Sequence, residues 1–299
     1  MDHSLARQSV ATPRRRTMAR LRRIMGASVS HALLIIVGVI FVVPFIWLVI
    51  TSLKVKNQIF TDPLIWIPDP VMWENYARAL TSPGFNYPVL LGNTLFYAVL
   101  STAGTVISCT IVAYAFGRME FRGRDLLFSI TLATMMLPGI VTLIPTYVLF
   151  RTMGLIGSYA PLIVPLWFGT AFNIFLLRQF MMTIPLDLTD AARVDGASDA
   201  VILWRIMVPL MKPALMVVAL FQFLWSWNDF MGPLIYLSDS AQFPLVLGLY
   251  TFRGRFGGSV EWNLMMAASM AVIAPIIVLF FVAQRYFVEG VTLTGLKGA

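Results

Sequence analysis

The sequence predicts an all-α integral membrane protein with six transmembrane helices, and three observations carry that prediction. Only 12% of its 299 residues are charged, against about a quarter in soluble domains, and mean hydropathy is +0.80. Six windows of about 20 mostly apolar residues, enough to cross a bilayer as helix, recur along the chain. The basic residues between those windows alternate from side to side, as positive flanks retained in the cytoplasm do. The formal charge of +8 is spread along the chain rather than gathered on one face, so membrane lipid and not nucleic acid is its expected surrounding.

A basic tail, 1–30, opens the chain with Arg7, Arg14, Arg15, Arg16, Arg20, Arg22 and Arg23, and is expected to stay in the cytoplasm. The apolar window that follows, 31–53, is too long for the core of a signal peptide and ends in Ile50-Thr51-Ser52-Leu53-Lys54, without a small-residue cleavage site. It reads as an uncleaved first span, with the Arg14 to Arg16 triplet as its anchoring flank. The next segment, 54–89, sets Trp66, Trp73, Tyr76 and Tyr87 among prolines, which suits an external loop against the bilayer interface.

Five more windows, 90–116, 126–150, 157–180, 212–237 and 264–286, make a five-helix core over 90–286. A tail, 287–299, follows. With a cytoplasmic start, sixteen of the 22 basic residues fall inside and six outside, so both termini are expected in the cytoplasm. Pro44, Pro138, Pro145, Pro161, Pro165, Pro233 and Pro275 lie within windows. About half of them reflect the ordinary frequency of proline in membrane helices, and the rest mark kinks whose freed carbonyls need neighbours or a wet cavity. Cys109 is the single cysteine, which excludes an intramolecular disulfide.

One loop breaks the apolar pattern. Between the fourth and fifth windows, 181–211 carries charge and helix-ending residues and must face water. Asp187 is expected to cap a helix whose first turn holds Asp190, and Ala191 and Ala192 are small enough to enter a partner's groove. Gly196 can end that helix in the left-handed conformation, and Ser198 or Asp199 can cap a second helix that returns to the membrane at Pro209 and Pro213.

These residues resemble a known family. Asp190-Ala191-Ala192, then Asp195-Gly196-Ala197, Ile206 with nine residues between it and Gly196, and Pro209 are similar to the EAA loop of binding-protein-dependent ABC-transporter permeases. Asp190 stands where that family has Glu, and Val208 where it has Leu. Ser52-Leu53-Lys54, Glu74-Asn75-Tyr76, the run from Ala113 to Arg118, the run from Trp225 to Phe230, and the tail from Gly290 to Gly298 extend the resemblance to the sugar-importer, maltose-permease-like branch. The resemblance implies a type I ABC importer permease fold. It also implies a coupling helix, Asp187 to Ala197, docking in a cleft of an ATPase subunit. The partners it implies are a second permease subunit forming a heterodimer, two ATPase subunits that hold ATP and Mg²⁺, and an extracytoplasmic sugar-binding protein.

This chain is not expected to bind ATP itself. Gly290 and Gly295 have the spacing of a phosphate-binding loop, but Leu296 separates the second glycine from Lys297, and Gly298 follows that lysine where a Ser or Thr is needed. By the resemblance, Thr292, Thr294 and Lys297 are candidates for contacts with the ATPase pair; an unattached tail is the plain alternative.

In the fifth window Gln222, Ser226 and Asp229 recur on one helical stripe beside Phe221, Trp225 and Asn228. Amides and carboxylates beside aromatic faces suit a sugar in a translocation path. Helix-to-helix hydrogen bonding or an interface anchor is the competing reading for Asp229. Arg253, Arg255, Gly257 and Gly258 fall in an external loop, 238–263, that in the family contacts the binding protein; an ordinary solvated loop is the other reading.

Two further functional classes compete with the permease. An ion-coupled secondary transporter usually lines its path with acids or histidines and often shows inverted repeats, whereas Asp229 stands almost alone and no repeat is visible. An intramembrane enzyme needs clustered nucleophiles, acids or metal ligands, and His3 and His31, the only histidines, sit at the N-terminal end. An ABC permease for a non-sugar solute such as glycerol phosphate remains as the near alternative.

Overall fold

The computed structural model describes residues 13–83, 85–253 and 260–295, with side chains for 25–83, 85–253 and 260–284. Among the described residues all regular secondary structure is helical. Four helices are long and apolar enough to cross a membrane, or six if each of two sharply bent pairs counts as one span. The expected number of spans is reached only with the bent pairs included.

Helix α1 (Pro13–Ser52) runs from the arginine-rich segment through the first window without a break, although Pro44 lies inside it. The basic flank, from Pro13 on, is therefore the start of the same helix. A short α2 (Glu74–Leu80) interrupts the segment that follows. The second span is α3 (Tyr87–Arg118), uninterrupted over 32 residues.

The third window is not one helix. α4 (Arg124–Thr134) and α5 (Gly139–Thr152) meet at 97°. Pro138 stands in extended conformation at the N-cap of α5; it has no amide hydrogen to continue α4, and its ring disfavours a helical residue before it. No residue of either helix is buried. The hydroxyls of Ser129, Thr131, Thr134, Thr142 and Thr146 all bond to carbonyls of their own helix.

The fourth window is also composite. α6 (Ala160–Ile163) passes into a 3₁₀ turn, Val164–Phe168, and Gly169 at φ +91° separates that turn from α7 (Ala171–Met182). The charged loop forms α8 (Asp187–Val194), α9 (Asp199–Val201), a π-helical turn over Ile202–Met207 and α10 (Val208–Leu210). Pro209 cannot donate to the carbonyl four residues back, which favours wider hydrogen bonding just before it.

α11 (Lys212–Asn228) leaves this segment at 81°. The fifth window was expected to continue to 237, but α11 stops where Asp229 turns extended. A separate α12 (Met231–Tyr236) follows. α13 (Leu245–Arg253) and the long α14 (Trp262–Gly295), which encloses Pro275, complete the fold.

α3 is the axis of the molecule and packs against α7, α11 and the 3₁₀ turn. Toward the charged loop, Cys109, Ala113, Tyr114 and Phe116 of α3 meet Leu177, Met181, Met207, Met211 and Val218 in one buried cluster. Toward the other end, Leu90 joins Trp227, Leu245, Phe252 and Leu264 in a second, and Tyr97 joins Leu162 and Tyr236 in a third.

Candidate functional site

The α8 knob ends as a Schellman motif. Gly196 adopts φ +82°, its amide donates to Arg193 O at 3.0 Å, and the Ala197 amide reaches back to Ala192 O at 2.9 Å. The start differs from expectation. Asp187 lies inside the first turn without making a capping bond, and the Leu186 carbonyl accepts the Thr189 and Asp190 amides. Ser198 holds the N-cap position of α9 but likewise makes no side-chain cap bond. Ala191 and Asp195 are exposed, whereas Ala192 and Ala197 pack partly against the core. Leu186, Leu188 and Val194 are exposed apolar residues around the knob, Val194 at 88%.

Polar contacts hold this knob against α3. The Tyr114 hydroxyl donates to Asp199 Oδ1 at 2.8 Å, and the Arg193 guanidinium donates to Asp199 Oδ1 at 3.3 Å and to the Arg118 carbonyl at 3.2 Å. Arg193 also faces Asp190 at 3.5 Å. The Asp199 carboxylate beside Arg193 pushes its pKa upward. Arg118 is buried and donates to the carbonyls of Met181 and Ile184, which end the fourth span, while Arg178 reaches from α7 to the Phe116 carbonyl. Buried guanidinium donors with carbonyl acceptors form strong, direction-specific ties.

A second feature lies beyond the middle of α3. A cavity of about 1130 Å³ is bordered by Phe221, Gln222, Trp225, Asn228 and Asp229 from α11 and its end, and by Leu166, Thr170, Phe172 and Asn173 from the fourth span. Five of the six residues proposed for a translocation path thus share one wall. Ser226 instead is buried and accepts a hydrogen bond from Gln222 Nε2 at 3.1 Å, which orients that amide. Asp229 Oδ2 accepts from the Tyr97 hydroxyl at 2.8 Å and Oδ1 from the Gly232 amide at 3.0 Å. Asp229 therefore makes the interhelical bond of one reading while bordering the cavity required by the other. Gly232 permits the approach, because a Cβ there would lie 2.5 Å from Asp229 Oδ2.

Residues of the segment between α1 and α3 also converge. Asn75 Nδ2 donates to the carbonyls of Ser52 and Lys54, each at 2.9 Å, and the Tyr76 and Ser52 hydroxyls lie 2.8 Å apart. Two separated sequence motifs thereby lock the end of α1 to α2. Lys54 is buried with its ammonium 4.4 Å from the Trp47 ring centroid and, among the described residues, without a hydrogen-bond acceptor, and burial pushes its pKa down.

The remaining candidates are only partly placed. Arg253 is exposed at the end of α13, while Arg255, Gly257 and Gly258 lie outside the described residues. Thr292 and Thr294 fall on the helical backbone of α14, beyond the described side chains, and Lys297 lies outside the described residues. Among the described residues no group of three or more His, Cys, Asp or Glu is placed to hold a metal.

Tyr97, Gly232, Thr170 and Asn173 were not singled out by sequence reasoning. Thr170 and Asn173 carried a usable signal, since they are polar positions in an apolar window three residues apart, and Asn173 Nδ2 donates to Thr170 Oγ1 at 2.9 Å. Tyr97 and Gly232 carried none, because their roles depend on tertiary approach.

Comparison with known proteins accords with this architecture. Residues 109–293 match the family model described as a binding-protein-dependent transport system inner membrane component. The chain is 31% identical to the arabinooligosaccharides transport system permease protein AraQ of Halalkalibacterium halodurans, over 88% of this chain and 93% of that protein. It is 31% identical to the trehalose/maltose transport system permease protein MalG of Thermococcus litoralis, over 95% of this chain and 99% of that one. Among solved structures, a bacterial ABC transporter involved in import of the acidic polysaccharide alginate superposes with a TM-score of 0.80 at 26% identity, covering 90% of this chain and 98% of its own.

Proposed function

Since this chain belongs to the family of binding-protein-dependent transport system inner membrane components, we propose that it is one of two permease subunits of an ATP-driven carbohydrate importer. It sits in the cytoplasmic membrane with both termini inside and performs no chemistry itself. ATP and Mg²⁺ are held by two ATPase subunits, and cargo is delivered by an extracytoplasmic binding protein. The similarity to permeases named for arabinooligosaccharides and for trehalose and maltose supports carbohydrate as the cargo class.

The observation that carries the reading is the continuity of α3 between knob and cavity. α8 presents Leu186, Leu188 and Val194 to a partner and is tied through Asp199 to Tyr114, near one end of α3. Toward the other end of α3, Tyr97 holds Asp229 at the cavity. An ATPase that grips α8 differently in its open and closed states can bias two positions of α3, and a ligand or partner shifts such an equilibrium only by that difference in affinity. Thr292, Thr294 and Lys297 are assigned to contacts with the ATPase pair, and the loop of Arg253, Arg255, Gly257 and Gly258 to the binding protein.

The test is co-purification of the tagged chain in mild detergent, with a Gly196→Asp variant in parallel. Recovery of an ATPase and a second permease, with the ATPase depleted in the variant, is expected. Recovery of the chain alone in both preparations would overturn the importer reading.

A further inference from the structure

The fold does not settle the charge of the cargo, since a relative with the same fold belongs to a transporter for an acidic polysaccharide. The cavity wall is more selective. We infer that the cargo passing this subunit is an uncharged carbohydrate, not a uronate or a phosphate ester. The inference rests on the importer reading and adds the charge class to it.

The described residues bordering the cavity include no Lys, Arg or His. Carboxylates and phosphates are ordinarily held by such groups, most often by the paired donors of arginine. The one acidic side chain on this wall, Asp229, already accepts hydrogen bonds from Tyr97 and Gly232. An anion entering here would meet no countercharge on this wall and would face a carboxylate, and both effects oppose it.

What the wall offers matches sugar hydroxyls. Thr170, Asn173, Gln222 and Asn228 supply neutral donors and acceptors. Trp225, 74% exposed, presents a broad apolar face for the C–H side of a pyranose or furanose ring. Neutral hydrogen-bonding groups beside an aromatic plane bind a polyol without needing charge, and hold it weakly enough to let it leave.

The test is uptake by cells that lack the chain and by cells that re-express it, with the rest of the transporter intact. The probes are arabinotriose, maltotriose, a mannuronate trisaccharide and sn-glycerol 3-phosphate. Chain-dependent uptake of a neutral trisaccharide and of neither anion is expected. An Asn228→Arg variant should lower neutral uptake about tenfold, because the added cation must be desolvated beside a cargo that cannot neutralise it. Its assembly with the other subunits, checked by co-purification, separates this effect from misfolding. Chain-dependent uptake of either anion, or a rise in uptake caused by Asn228→Arg, would overturn the inference. Absence of ATP-dependent uptake for all four probes would remove the importer reading, and this inference with it.

Discussion

The hydroxyl of Tyr114 donates to Asp199 Oδ1 at 2.8 Å, joining residues 85 positions apart in sequence. This bond fastens the start of α9 to the last turns of α3, and Arg193 closes the same corner by reaching both Asp199 and the Arg118 carbonyl. The knob is thus anchored to the most deeply buried of the four single-helix spans, not merely to the spans that flank it in sequence.

Tyr114→Phe should therefore loosen the transmission while leaving the fold in place. Loss of a hydrogen bond to a carboxylate weakens the junction by about 1–3 kcal/mol. In the reconstituted transporter, cargo moved per ATP hydrolysed should fall several-fold with ATPase turnover retained. An unchanged ratio would show that this corner carries no force.

Substitution at Gly196 separates backbone geometry from side-chain bulk. A Cβ there meets nothing within 4 Å, but φ is +82°. Gly196→Ala should cost about 1–2 kcal/mol in local stability from the left-handed conformation alone, and Gly196→Asn less, because asparagine tolerates that region. ATPase recovery on co-purification should rank Gly above Asn above Ala; equal loss in both variants would point to blocked docking instead.

Asn75 braces the C-terminal end of α1 through two carbonyls and accepts from Asn263 Nδ2 at 3.3 Å. Asn75→Ala leaves buried carbonyls unpaired and should destabilise the chain by about 2–3 kcal/mol. Asn75→Asp, which replaces the donor by an acceptor, should be worse. Thermal unfolding in detergent, followed by tryptophan emission, reads both.

Lys54 gives a pH dependence of defined sign. Its pKa is lowered from 10.5 by burial, so protonation favours the unfolded chain. The destabilisation is fully present below the folded-state pKa and is relieved as pH rises from that value toward 10.5. Lys54→Met, which keeps the apolar stem, should gain stability at neutral pH, with the advantage fading toward pH 10.5. A pH-independent difference between the two proteins would mean that the Trp47 contact, not desolvation, sets the balance.

Spans were legible wherever a helix is uniform. Hydropathy located α1, α3 and α14 because each is one apolar helix, and the glycine at 196 announced the end of α8 through its backbone freedom. The breaks at Pro138 and Asp229 were not legible, since proline inside a membrane helix can also be accommodated, as it is at Pro44 and Pro275. In the cavity, the α11 stripe was readable by its period. The Tyr97 contribution was not, because a tyrosine in an apolar run gives no sign of which distant carboxylate it meets.

The elbow of α4 and α5 leaves most of its apolar surface uncovered, Phe128 and Phe150 apart, while its hydroxyls bond mostly to their own backbones. Such a surface offers a neighbour only shape and dispersion, with few directional bonds to be broken in a displacement. A helix seated on it would have few bonds to fix its register, so displacement there would cost less than at the hydrogen-bonded corner of Tyr114 and Asp199.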